Sequence, residues 1–149
     1  MKNVLLSFAL LAGPVLPAGG LETTPLPGVR PALILVKGAD GSAEYAPRFE
    51  SQVEAWKKMA VQAGAELLLA TGDADAPAGT TDRARLEKVL ADLPREGPAD
   101  VWVVLIGHGT WDGKEARFNL EGPDLTAADL AGWLQPVQRP VVVINTASS

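Results

Sequence analysis

A chain of 149 residues, 47% hydrophobic and 21% charged, has the length and composition of one soluble globular domain. Its formal charge of -5, with no basic stripe, argues against nucleic acid and anionic membranes as partners. Cysteine is absent and histidine occurs once, so there is no thiol nucleophile, no disulfide and no ligand set for a structural zinc; no cofactor or metal is implied.

In chain order, residues 1–18 read as a secretory signal. Lys2 precedes an apolar core over 4–12, then Gly13-Pro14 and a small residue at Ala18. The core is too short to cross a bilayer as a helix, so the expectation is cleavage and export to the periplasm or beyond, with an uncleaved anchor as the alternative. Residues 19–31, with Pro25, Pro27 and Pro31, read as a Pro/Gly-rich linker. The domain itself is expected over 32–149.

The first apolar run is 32–36, followed by a turn-rich loop over 37–42. Between 45 and 63, Phe49, Val53, Trp56, Ala60 and Ala63 recur at steps of three and four, one stripe of an amphipathic helix that Gly64 can end. Residues 67–70 form a second short strand. In the loop after it, Asp73 and Asp75 suit a solvated acidic loop better than a cation site. Thr81 can cap a second helix with Leu86, Val89, Leu90 and Leu93 inward and Pro94 closing it.

Residues 101–106 are continuously apolar and rich in valine, the pattern of a parallel strand buried on both faces. They run into Gly107-His108-Gly109. Residues 114–121 suggest a small hairpin or an irregular excursion. Thr126 and Asp129 then have capping-box spacing, with Leu125 placed to staple onto Leu130, and Leu130, Trp133 and Leu134 on the sheet side. Residues 141–144 are the fourth apolar run, followed by Asn145-Thr146-Ala147-Ser148-Ser149. Strand and helix patterns alternate four times. The fold class is therefore α/β: a three-layer sandwich with a mostly parallel sheet, right-handed crossovers and helices on both faces. A chain that stops at the tip of a strand is expected to be truncated at its C-terminal end.

Several site signatures are missing. There is no G-x-S-x-G, no G-x-x-x-x-G-K-[ST], and no G-x-G-x-x-G after the first strand. What remains is a pair of strand ends. The carboxyl ends of strands are where open α/β sheets hold ligands. His108 therefore reads either as a chemical group or as a loop histidine between turn glycines. Lys37 and Asp40, after the first strand, are near enough to line the crevice but read more naturally as surface residues.

The ordered pair VWVVLI-Gly107-His108-Gly109 and VVVI-Asn145-Thr146-Ala147-Ser148-Ser149 resembles the caspase-like superfamily of cysteine peptidases, which includes caspases, metacaspases, legumains and gingipains. The resemblance covers residue 31 to the end and implies strand order 2-1-3-4. It assigns His108 as the proton-transferring base and the Gly109 N–H as an oxyanion donor. The nucleophile position falls on Ala147, which has no atom that can attack a carbonyl. Side chains alternate along a strand, so Ser148 is expected on the side away from Ala147. Ser149 returns to the Ala147 side but two residues further on. The resemblance thus implies an exported caspase-like domain that binds polypeptide without catalysis. The alternative is an active peptidase using a substitute serine, Ser149 or Ser148, and an unrelated α/β binding module is a third reading.

Overall fold

The computed structural model describes residues 29–72 and 79–147. The expected signal, residues 19–28 of the linker, Asp73, Asp75, Ser148 and Ser149 lie outside the described residues. In chain order the elements are β1 (Ala32–Lys37), α1 (Ala46–Ala63), β2 (Glu66–Ala70), α2 (Asp82–Asp92), β3 (Val101–Ile106), β4 (Gly109–Trp111), β5 (Ala116–Phe118), β6 (Leu125–Thr126), α3 (Ala127–Leu134) and β7 (Val141–Asn145).

The four apolar runs become one parallel sheet ordered β2-β1-β3-β7. Only the two central strands are buried on both faces. β1 is buried throughout and β3 nearly so, whereas the edge strands leave Leu67 40% and Val143 46% exposed. An edge strand has a neighbour on one side only, so part of its surface stays open.

Two apolar clusters form the core, one per face. Leu33, Leu35, Val104 and Ile106 pack with Phe49, Val53 and Ala60 of α1. Ile34, Val36, Val103 and Leu105 pack with Leu86, Leu90 and Leu93 from α2 and its end, and with Leu130 of α3. Successive residues of β1 and β3 thus serve opposite faces, as a pleated strand requires. The arrangement is α/β/α in three layers. Ala63 departs from the expected stripe: it is exposed, because α1 ends beside it at Gly64 (φ 64°).

The helix starts follow their caps. The Thr81 hydroxyl accepts the Ala84 N–H at 3.2 Å. Thr126 and Asp129 form a reciprocal box, Asp129 N–H to Thr126 Oγ1 at 3.1 Å and Thr126 N–H to Asp129 Oδ2 at 3.0 Å. Arg83 of α2 donates to that same carboxylate at 2.7 Å, and its guanidinium lies 5.0 Å from the centroid of Trp133. Arg83 first, then Thr126, holds Asp129 well below the usual carboxylate range. One residue therefore ties the start of α3 to the start of α2.

Residues 109–126 resolve the choice between a hairpin and an irregular excursion. β4, β5 and β6 form a small antiparallel sheet, with Gly109 opposite Phe118 and Trp111 opposite Ala116. At the β4–β5 turn, Asp112 accepts the N–H groups of Lys114 and Glu115 at 2.9 Å each, and Gly113 has φ 91°. Asp-Gly is a strong short hairpin signal.

Candidate functional site at the carboxyl ends of the strands

β1 and β3 end side by side in two glycine turns that touch. A Cβ on Gly38 would lie 2.4 Å from the Asn119 carbonyl oxygen, and one on Gly107 would lie 3.2 Å from Gly38 Cα and 3.1 Å from the Phe118 ring. Neither position has room for a side chain. Hydrogen bonds fix the approach: Gly38 N–H to Ile106 O at 2.9 Å, Ala39 N–H to Asn119 O at 3.0 Å, and Asn119 N–H to His108 O at 3.0 Å. The backbone around His108 is held from both sides.

The His108 ring turns to the α1 face. It stands edge-on to Tyr45, with ring centroids 4.5 Å apart and planes at 89°, and to Phe49 at 5.0 Å and 71°. Gly41 closes the cage, since a Cβ there would reach within 3.3 Å of His108 Cδ2. His108 continues the face of Val104 and Ile106, so this is the orientation that strand alternation gives. Among the described residues no carboxylate or carbonyl hydrogen-bonds the ring, so none of them selects one tautomer.

Lys37 and Asp40 are not plain surface residues. Lys37 is 8% exposed, lies along Gly72, and has its ammonium 2.6 Å from Asp40 Oδ1. That oxygen is buried without a hydrogen bond of good geometry, so the lysine charge is its compensation. Each partner makes the other's burial tolerable. The pair pins the β1–α1 loop immediately before Gly41, and so fixes one wall of the histidine cage.

Ala147 lies on the other face. It packs with Val141 against the α2–α3 cluster, and its N–H donates to Asn145 Oδ1 at 3.0 Å. Thr146 donates through both N–H and Oγ1 to Leu105 O, at 2.9 and 3.0 Å. Gly109 is brought to Ala147: its Cβ position would be 3.7 Å from the Ala147 methyl and 3.1 Å from Arg117 O. The two line a crevice of about 320 Å³ between β7, the small sheet and α3, with Thr110, Arg117, Leu130 and Val143. Arg117 pairs with Asp112 at 2.8 Å and Glu115 at 3.0 Å, so its charge is neutralised locally. The Glu115 and Lys114 N–H groups, then Arg117, lower the Asp112 carboxyl below its ordinary range.

The structure therefore brings Gly109 and Ala147 together in one crevice and turns His108 away from it. The aromatic cage was the unanticipated part. Its signal was present, because Tyr45 and Phe49 share a helix stripe at a spacing of four and His108 shares strand parity with Ile106. Among the described residues no cluster of three or more His, Asp or Glu side chains is placed to hold a metal ion. No protein-family model, no curated protein and no solved structure matches the chain.

Proposed function

We propose that this chain is an exported caspase-like domain that binds polypeptide and does not cleave it. One observation carries the reading. The positions that the resemblance assigns to base and nucleophile lie on opposite faces of the sheet, His108 against Tyr45 and Phe49, and Ala147 as a methyl in the crevice. A nucleophile needs its base within about 2.6–3.2 Å, which neither the alanine nor this orientation supplies. Polypeptide is the favoured ligand because the crevice runs beside β7. That strand is at the sheet edge, with Val143 half exposed, and such an edge can take an added strand through its free backbone groups.

A second reading keeps a serine nucleophile, Ser149 or Ser148, and one feature of the register favours looking beyond Ala147. β3 and β7 pair from Val101 with Val141 to Leu105 with Asn145. The same offset carried on sets Ala147 beside Gly107, one place short of the row of His108.

The test is a peptide-library cleavage assay combined with peptide binding. The native protein and Ala147→Cys are expected to be silent in cleavage, the latter because the thiol is delivered into the crevice away from His108. Peptide binding should survive His108→Ala and weaken in Val143→Lys. Cleavage by the native protein that vanishes in His108→Ala and in Ser148→Ala or Ser149→Ala would overturn the non-catalytic reading.

A further inference from the structure

At the opposite end of the sheet from His108, the amino ends of β1 and β3 and the last turns of α1 enclose an apolar groove of about 610 Å³. Small-molecule sites span about 300–1,000 Å³ and set a few polar groups among apolar and aromatic walls. The apolar walls here include Leu33, Trp56, Met59, Ala60 and Trp102, with Met59 46% exposed and both tryptophans half-buried. Asp100 is the one ionisable side chain among the described residues that line it.

We infer that this groove binds a small organic cation, an ammonium group carried on an apolar body, with the ammonium at Asp100. Charge carries the choice of ligand. The Asp100 backbone is fixed, since its carbonyl accepts the Ala32 N–H at 2.9 Å, and the residue is only half-buried. Its carboxylate has no hydrogen bond or ion pair with any described residue. No basic side chain lines the groove among those residues, and Lys57, next to Trp56 in α1, is held to Glu54 at 2.8 Å. A carboxylate beside an apolar recess attracts a cation more strongly than one in bulk water does, because less water screens the pair.

The walls favour the same ligand. An indole carries negative charge density over its ring face, which attracts an ammonium that approaches it, and tryptophan does this best of the aromatic residues. Trp56 comes from α1 and Trp102 from β3, and both pack against the α1-side cluster, so two elements hold the recess in shape. The apolar body of the ligand replaces water over Leu33, Met59 and Ala60. An anion of the same shape meets Asp100 as a like charge, on a chain whose formal charge is already -5. The groove lies in the α1 layer, away from the crevice, so the inference does not depend on the polypeptide-binding reading.

Three probes of one chain length separate charge from apolar contact: octyltrimethylammonium, octanol and octanoate, each titrated into the full chain by calorimetry. The ammonium is expected to bind about tenfold more tightly than octanol, and octanoate more weakly than either. Asp100→Asn should weaken the ammonium about five- to tenfold and leave octanol unchanged, whereas Trp56→Leu should weaken both. By NMR the ammonium should move the indole N–H signals of Trp56 and Trp102 and leave those of Trp111 and Trp133 in place. Equal affinity for the ammonium and octanol, undiminished binding in Asp100→Asn, movement at Trp111 or Trp133 instead, or no binding at all would each overturn the assignment. A chain that sediments as a dimer and becomes monomeric in Met59→Glu would also overturn it, giving the groove to a second copy.

Discussion

Val104→Asp is the most exacting test of how the sheet is built. Val104 is fully buried, pairs with Leu35 on one side and Ile144 on the other, and belongs to the α1-side cluster. Removing the valine forfeits about 1.5–3 kcal/mol of apolar burial. Placing a carboxyl group there without a partner adds roughly 1–3 kcal/mol even when it is protonated. The loss of about 3–6 kcal/mol is comparable to the whole stability of an ordinary domain, about 5–15 kcal/mol. The sign with pH follows from burial. Desolvation raises the carboxyl pKa in the folded state above its unfolded value. The penalty therefore grows as pH rises past about 4, by about 1.4 kcal/mol for each pH unit until the folded-state pKa is reached. Val142 is only half-buried on an edge strand, where a carboxylate can reach water, and Val142→Asp should cost roughly 1–2 kcal/mol. Urea titrations followed by far-UV circular dichroism at pH 7 and pH 5 compare the two variants. Equal destabilisation, or no relief of Val104→Asp at the lower pH, would refute this account of the core.

Two glycines should respond in opposite directions. Gly38→Ala is expected to lose roughly 1–3 kcal/mol because its Cβ meets the Asn119 carbonyl, whereas Gly132→Ala, with open space around it inside α3, should gain about 0.5–1 kcal/mol; thermal melts decide both. Asp129→Asn should weaken the α2–α3 junction at neutral pH and flatten acid unfolding. The native carboxyl has a depressed pKa, so its contribution is present above the unfolded value near 3.9 and is lost as pH falls below it; identical acid profiles for the two proteins would contradict that role.

The elements that sequence reading located well are those with a local cause. Apolar runs gave the four parallel strands, the three-and-four spacing gave α1 and α2, and the Thr126–Asp129 pair gave the start of α3. What escaped it depends on neighbours distant in sequence. The half-exposure of Leu67 and Val143 follows from strand order, which places their strands at the edges. Lys37 is buried because Thr71 and Gly72, at the end of β2, come to it; its partner Asp40 is local and was visible beside it, but the burial was not. The Asp112-Gly113 turn between β4 and β5 went unread, and the strands it joins are only three residues long, too short for a period to stand out.

The candidate site turns on parity more than on proximity. Parallel neighbours in register put equivalent rows on the same face, so two strand ends can be adjacent while their side chains serve different layers. His108 follows Val104 and Ile106 into the aromatic end of α1; Ala147 follows Val141 into the crevice beside α3. A shift of one residue in either strand end would exchange those faces. The same logic separates the two surfaces of the protein. The crevice and the edge of β7 belong to the α2–α3 side, whereas the histidine cage and the apolar groove belong to α1 at opposite ends of its length. A ligand on β7 would therefore leave the groove beside Trp56 and Trp102 open, because the two lie in different layers.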